Sequence, residues 1–233
     1  MKIRTFALFT LIAAATMGRA VIIMDQIGPN NTYQSGNIHA SQDFEAAFDP
    51  YDIATGDNFT TTAAGFKITR VEAIIGFWNG ASGPSGITRY RLEFYSSPAA
   101  AGASLTGNVA SLSLALNQVT LTAWNLANNF QYHVNIPNLS ITLAPNTTYW
   151  LALIPVMNFS GVGQVGIAET TGLAGTFPMD FNNFQANPGG GFGFPGGLSR
   201  PNVNSAYRID AVPEPGTLAV LGLGLLALVR RRR

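Results

Sequence analysis

Between positions 21 and 212 the apolar residues of the chain recur with a period of two. Tyr90, Leu92 and Phe94 alternate with Arg89, Arg91, Glu93 and Tyr95, and Leu112, Leu114 and Leu116 alternate with serine and alanine. Phe130, Tyr132, Val134 and Ile136 are interleaved with Gln131, His133 and Asn135, and Leu139, Ile141 and Leu143 follow around Ser140 and Thr142. Successive side chains of a strand point to opposite faces, so this alternation predicts strands with one face in a core and one toward water. The run Tyr149, Leu151, Leu153 differs, because Trp150, Ala152 and Ile154 in the opposite phase are apolar too. It is expected to be a central strand buried on both faces.

From Phe66 to Trp78 the phase changes midway. Phe66 and Ile68 share one parity, whereas Val71, Ala73, Ile75 and Phe77 share the other. One extra residue flips a strand from face to face, so a bulge near Thr69-Arg70 is predicted. Clusters of Gly, Pro, Asn and Ser at 79–86, 96–107, 145–146 and 160–163 separate the strands. No part of the body carries a 3.6-residue repeat. The expectation is an all-β domain over residues 21–211, an antiparallel β-sandwich of jelly-roll-like form, with a closed barrel as the alternative.

At the two ends the pattern is continuous rather than alternating. Lys2 and Arg4 precede an apolar stretch from Thr5 to Met17, and Gly18-Arg19-Ala20 follows with small residues at both outer positions. These three parts predict a secretory signal peptide over residues 1–20, cut between Ala20 and Val21. The other end reads Pro213-Glu214-Pro215-Gly216, an uncharged apolar run to Val229, and then Arg230, Arg231, Arg232 and Arg233. Pro215 suits the first position of a helix and no interior one. Residues 216–229 make about 21 Å of helix at 1.5 Å per residue, short of the roughly 30 Å hydrocarbon core. Snorkelling arginines and local thinning cover part of that difference, which gives a marginal span suited to temporary retention. The cations of both ends remain cytoplasmic and everything between them is translocated. The sandwich is therefore expected to be flanked by an N-terminal signal helix and a C-terminal hydrophobic helix in segment 212–233.

The tail resembles the PEP-CTERM sorting signal of Gram-negative bacteria: Pro213-Glu214-Pro215, a short hydrophobic helix rich in Leu, Gly and Ala, and a terminal arginine cluster, in that order. The resemblance implies recognition and cleavage near the motif by an exosortase, a membrane-embedded cysteine transpeptidase-like enzyme. It also implies transient membrane anchoring, a destination at the cell surface or outside it, and an association with exopolysaccharide and biofilm. The body resembles, more loosely, the β-sandwich ectodomains often found on such exported proteins, through Gly56-Asp57-Asn58-Phe59, Ile68-Thr69-Arg70-Val71, Arg91-Leu92-Glu93-Phe94-Tyr95 and Leu143 to Leu151.

Composition narrows the chemistry. Zero cysteines exclude a disulfide scaffold, thiolate zinc sites and a cysteine nucleophile. The net charge of +1 hides an uneven distribution, since residues 21–212 hold six cations against eleven anions, a net −5. An anionic body without a basic stripe is not a nucleic-acid binder. Gly161 to Gly166 matches G-x-G-x-x-G, but the helix that would hold a pyrophosphate does not follow it, so the segment is expected to be a turn and a strand. There is no G-x-S-x-G, H-E-x-x-H or Walker A sequence. His39 and His133 have no acidic or nucleophilic neighbour at a catalytic spacing and are expected as surface histidines. Asp43, Glu45, Asp49, Asp52 and Asp57 put five carboxylates within fifteen residues. Asp49, Asp52 and Asp57 are candidate calcium ligands, against the plainer alternative of a solvated acidic loop. Trp78, Trp124, Phe192 and Phe194 are candidates for stacking on sugar rings if the fold exposes them; otherwise they are core.

The expected function is that of an exported, non-enzymatic protein of the bacterial surface or extracellular matrix, with exosortase and the membrane as partners and polysaccharide as a further one. A carbohydrate-binding module, with or without calcium, is the alternative, and a hydrolase ranks last.

Overall fold

A computed structural model of the chain describes residues 19–28, 37–63, 65–125, 127, 129–159, 163–170 and 180–213. Residues 1–18 of the expected signal segment and the apolar tail lie outside them, as do Glu214, Pro215 and the four terminal arginines. Among the described residues no helix is long and apolar enough to cross a membrane.

Fifteen strands of the described residues, numbered along the chain, form two sheets with every strand pair antiparallel. The first sheet contains β1 (Val21–Asp25), β2 (Ile38–Ala40), β4 (Phe66–Trp78), β7 (Thr120–Asn125), β8 (Gln131–Ile136), β9 (Ile141–Leu143), β11 (Gln164–Thr170), β14 (Asn204–Ser205) and β15 (Tyr207–Pro213). The second is ordered β13-β12-β3-β10-β5-β6, with β3 (Ala54–Thr60), β5 (Ile87–Tyr95), β6 (Ala110–Ala115), β10 (Thr148–Met157), β12 (Phe184–Ala186) and β13 (Leu198–Ser199). Alternate residues of the two sheets meet in one core: Phe66, Ile68, Val71, Ala73, Ile75, Phe77, Val134 and Ile209 from the first, Phe59, Tyr90, Leu92, Phe94, Leu151 and Leu153 from the second. Two antiparallel sheets closed over an apolar layer satisfy the period-two patterning.

Strand β4 organises the first sheet. One edge pairs with β15 over Phe66–Ala73 and with β11 over Ile75–Trp78; the other pairs with β9 and β8. The register against β15 slips between Arg70 and Ile68, leaving Thr69 as the extra residue, and this is the bulge that the change of phase predicts. Phe66 and Ile68 before it and Val71, Ala73, Ile75 and Phe77 after it thereby reach the same core.

Strand β10 is buried on both faces. Tyr149, Leu151 and Leu153 enter the inter-sheet core. Ala152 and Ile154 join a second cluster with Tyr95, Ala54, Phe184 and Ala101, and Trp150 packs against it. Ala101 belongs to the short helix α1 (Pro98–Ala103), capped by the Ser97 side chain, which accepts from the Ala100 amide. Glu93 and Tyr95, in the polar phase of β5, are wholly buried, and two residues of the apolar phase are exposed. Phe130 leaves the strand for a turn at φ 52° and 42° over Asn129-Phe130 and is 41% exposed. Leu116, third in its series, ends β6 in a 3-10 turn and is exposed.

Thirteen residues at about 3.3 Å each make β4 roughly 40 Å long. Phe66 at its start lies beside Pro213, and Trp78 at its end lies beside Gln164. The molecule thus has a tail end and a far end.

Candidate functional site

The far end carries the chemistry. The 3-10 turn Ala46–Tyr51 has Phe48 and Tyr51 on it, with Phe44 just before. Phe159 follows β10, and the glycine-rich loop 188–197 supplies Phe192 and Phe194. Phe44, Phe48, Tyr51, Phe159, Phe192 and Gln164 line a cleft of about 350 Å³. Its aromatic rings contact one another: Phe44 and Phe159 at 5.3 Å between centroids, Phe48 and Phe159 at 5.0 Å, Tyr51 and Phe192 edge-on at 6.0 Å. Phe194 stacks behind Phe192 at 5.9 Å. Tyr51 is 46% and Phe192 36% exposed, so apolar ring surface faces solvent at the mouth.

This geometry has identifiable braces. Asn187, wholly buried, donates through Nδ2 to the carbonyls of Pro50 (2.8 Å) and Asp52 (2.7 Å), and its Oδ1 accepts from the Phe192 amide (2.9 Å). One amide side chain therefore ties the glycine-rich loop to the acidic turn. Gly191 donates to the Pro50 carbonyl, and a Cβ at Gly191 would meet that oxygen at 2.5 Å. Glycine is required there by close approach rather than by looseness. Two carboxylates hold the cleft walls: Asp52 Oδ1 accepts from the Phe44 amide and Glu45 Oε2 from the Phe159 amide, both at 2.7 Å. Burial, with Asp43 and Asp49 adding repulsion and the Phe44 amide opposing, pushes the Asp52 carboxyl up to about 6. Arg91 pairs with Asp43 (2.7 Å) and Glu93 (2.9 Å) beside it.

The candidate calcium carboxylates fall into two places. Asp49 and Asp52 share the acidic turn, with Asp43 near them. Asp57 is elsewhere, wholly buried on β3, where its oxygens accept from the amides of Asn58 (2.8 Å) and Ser205 (2.6 Å). Its charged neighbours are Asp180 and Arg200, and burial pushes its carboxyl up to about 8. Among the described residues no group of three or more His, Asp or Glu side chains is arranged to hold a metal.

The aromatic candidates divide likewise. Phe192 and Phe194 come together at the cleft. Trp78, half-buried, lines a separate cleft of about 430 Å³ with Asn37, Ile38, His39, Asn129 and Glu169. Trp124, on β7, lies against the His133 ring at 5.8 Å.

Both histidines are partly exposed, and each is paired with a glutamate. His39 Nε2 meets Glu169 at 2.9 Å, and the Asn37 amide bonds the other oxygen of that carboxylate. His133 Nε2 meets Glu72 at 3.2 Å, within a network that joins Arg70, Asp210, Arg208 and Asp25 across the outer face of the first sheet. Each histidine and its glutamate are more than sixty residues apart in sequence and adjacent only through strand pairing, so no local spacing could reveal them. Tyr51, Phe44 and Phe48 had a local signal: they are interspersed among the clustered carboxylates, at three- and four-residue intervals. The G-x-G-x-x-G segment enters β11 at Gln164 after a turn at Gly163 (φ 84°), as expected of a turn and a strand.

At the tail end, β15 runs into the proline-flanked segment. Ala20 is exposed and β1 begins at Val21. Fold and site together define a β-sandwich with an aromatic cleft at one end and a C-terminal sorting segment at the other. Residues 211–233 match the family model of the PEP-CTERM protein-sorting motif, so the chain carries that sorting motif. The match lies in the tail and includes only the last three residues of the sandwich. The motif carries with it export and sorting by exosortase. No curated protein and no solved structure matches the chain.

Proposed function

We propose that this chain is a non-enzymatic protein of the cell surface or extracellular matrix, held at the membrane by its tail until exosortase cuts it, and associated thereafter with an exopolysaccharide layer. The sorting motif at residues 211–233 carries the reading. An exported chain with a temporary anchor, an anionic body and no catalytic signature is suited to structural duty in a matrix. The test is deletion of residues 214–233. The full chain should collect in the membrane fraction of a strain without exosortase and at the surface or in the medium of its parent; the shortened chain should bypass the membrane in both. Unaltered fractionation would overturn the reading.

A second reading is favoured by the exposed rings of Tyr51 and Phe192: the sandwich is a carbohydrate-binding module whose cleft stacks on sugar rings. Purified chain should bind one or more glycans on an array, and Phe192→Ala with Tyr51→Ala should weaken that binding at least tenfold. Binding to no polysaccharide, the producing cell's own included, leaves the purely structural reading. Turnover of a glycan that ends on replacing one carboxylate would instead establish a hydrolase.

A further inference from the structure

The two chain ends leave the sandwich side by side. Val21 pairs with Ala211 across β1 and β15, so the backbone before Val21 lies one strand spacing, about 4.8 Å, from Val212. Strand β15 stays paired to β4 to its last residue, Val212 with Lys67 and Pro213 with Phe66, and β9 continues the rim with Thr142 opposite Lys67. Pro213 is also the first residue of Pro213-Glu214-Pro215. The sorting segment therefore starts inside the folded sheet, with no linker. Glu214, Pro215 and Gly216 alone separate the sheet from Thr217, where the uncharged apolar run begins. Three residues reach at most about 10 Å. At the same rim Val21 and Ile22 are 42% and 46% exposed, more than most large apolar residues of the described chain.

We propose that the rim formed by the start of β1, the end of β15 and the adjoining edge of β9 is laid against the lipid bilayer for as long as the tail is uncut, with the aromatic cleft held about 40 Å away at the opposite end of β4. The occupant is fixed by the chain itself, because an apolar stretch closed by four arginines begins within a three-residue reach of the rim. The chemistry of the rim suits that occupant. Val21 and Ile22 offer apolar surface to the interface, and Lys67 offers an ammonium group at headgroup depth. A long Gly/Ser linker would let the domain tumble over its anchor; a strand that ends in the motif does not. The proposal rests on the tail-anchored reading above and adds to it an orientation.

The chain contains no cysteine, so single labels can be placed without removing any. The full uncut chain is reconstituted in vesicles of phosphatidylethanolamine and phosphatidylglycerol that carry a nitroxide quencher on the headgroup. Fluorophores are attached at Ile22→Cys, Thr142→Cys, Tyr51→Cys and Ser82→Cys, two near the rim and two at the far end. Quenching at 22 and 142 should exceed that at 51 and 82 severalfold, and a flexible spacer of about fifteen residues between Pro213 and Glu214 should even the four out. Equal quenching at both ends without the spacer, or a gradient that the spacer leaves unchanged, overturns the orientation while leaving anchoring intact. A chain that fails to float with the vesicles overturns the orientation together with the anchored reading.

Discussion

At the scale of single residues, the carboxyls decide how this fold responds to pH. Asp57 is wholly buried on β3 and bonds the Ser205 amide of β14, so it joins one sheet to the other. Burial pushes it up to about 8, and burial with Asp43 and Asp49 pushes Asp52 up to about 6, both from an ordinary 3.8. Each therefore keeps its proton in the folded chain at pH values where the unfolded chain has lost it. Their contribution to stability is complete below about pH 4 and is lost as pH rises through about 6 and then about 8. Glu72 works in the opposite sense. Burial opposes its charge, but His133, Arg70 and Arg208 hold its carboxyl below the ordinary 4.5, so its contribution is present above that value and disappears as pH falls. The urea midpoint is expected to fall steadily from pH 5 to pH 9, and a midpoint that rises across that interval would contradict both burial arguments. Replacing Asp57 by Asn turns one accepting oxygen into a donor that faces a backbone amide. That leaves buried groups unsatisfied, at a cost of about 1–3 kcal/mol measurable by urea titration.

At the scale of elements, most of the architecture could be read from the chain, and the exceptions have physical causes. The alternation marks β4, β5, β6, β8, β9 and β10 because sheet burial has the period of the backbone itself, and it leaves β3, β7 and β15 unmarked. The bulge at Thr69 was legible because its two flanks are apolar in opposite phase and only one extra residue reconciles them. Deleting Thr69 should turn Val71, Ala73, Ile75 and Phe77 away from the core and abolish the folded state, checked by loss of the cooperative unfolding transition. Pro155 within β10 looks like a breaker, yet β3 pairs with β10 only as far as Ala152, so its missing N–H costs no bond to that neighbour. Close approaches left no mark in the pattern. Gly56 faces the Leu151 carbonyl, 2.2 Å from where a Cβ would stand, with the Phe184 ring at 2.6 Å. Gly56→Ala is therefore expected to cost about 2–3 kcal/mol, at the upper end of ordinary overpacking, and a urea midpoint equal to the parent's would refute it. The cleft was half legible. Phe192 and Phe194 stood out in a glycine-rich loop, whereas Asn187, which positions that loop, is one asparagine among many until its contacts across 135 residues are known.

At the scale of the whole molecule, the chain has a polarity: sorting at one end, an aromatic cleft at the other, and β4 between them. Strand β15 belongs to both the fold and the sorting segment, and the border between those roles is sharp enough to test by truncation. Ending the chain after Pro213 removes no described strand residue, so a protein of residues 21–213 keeps Ile209 and Ala211 wholly buried and keeps both neighbours of β15. It should unfold cooperatively with a Tm within a few degrees of the full chain's. Ending it after Arg208 removes Ile209 and Ala211 from the core and leaves β1 without a partner for Val21, Ile22 and Met24. Loss of a buried Ile side chain alone costs about 2–5 kcal/mol, against a total stability of about 5–15 kcal/mol for a domain. The backbone bonds of residues 209–213 go with it. Residues 21–208 should accordingly show no cooperative transition by tryptophan fluorescence. If instead they melted as the longer protein does, β15 would be an appendage of the sheet, and its passage straight into Pro213-Glu214-Pro215 would no longer tie the orientation of the sandwich to the membrane.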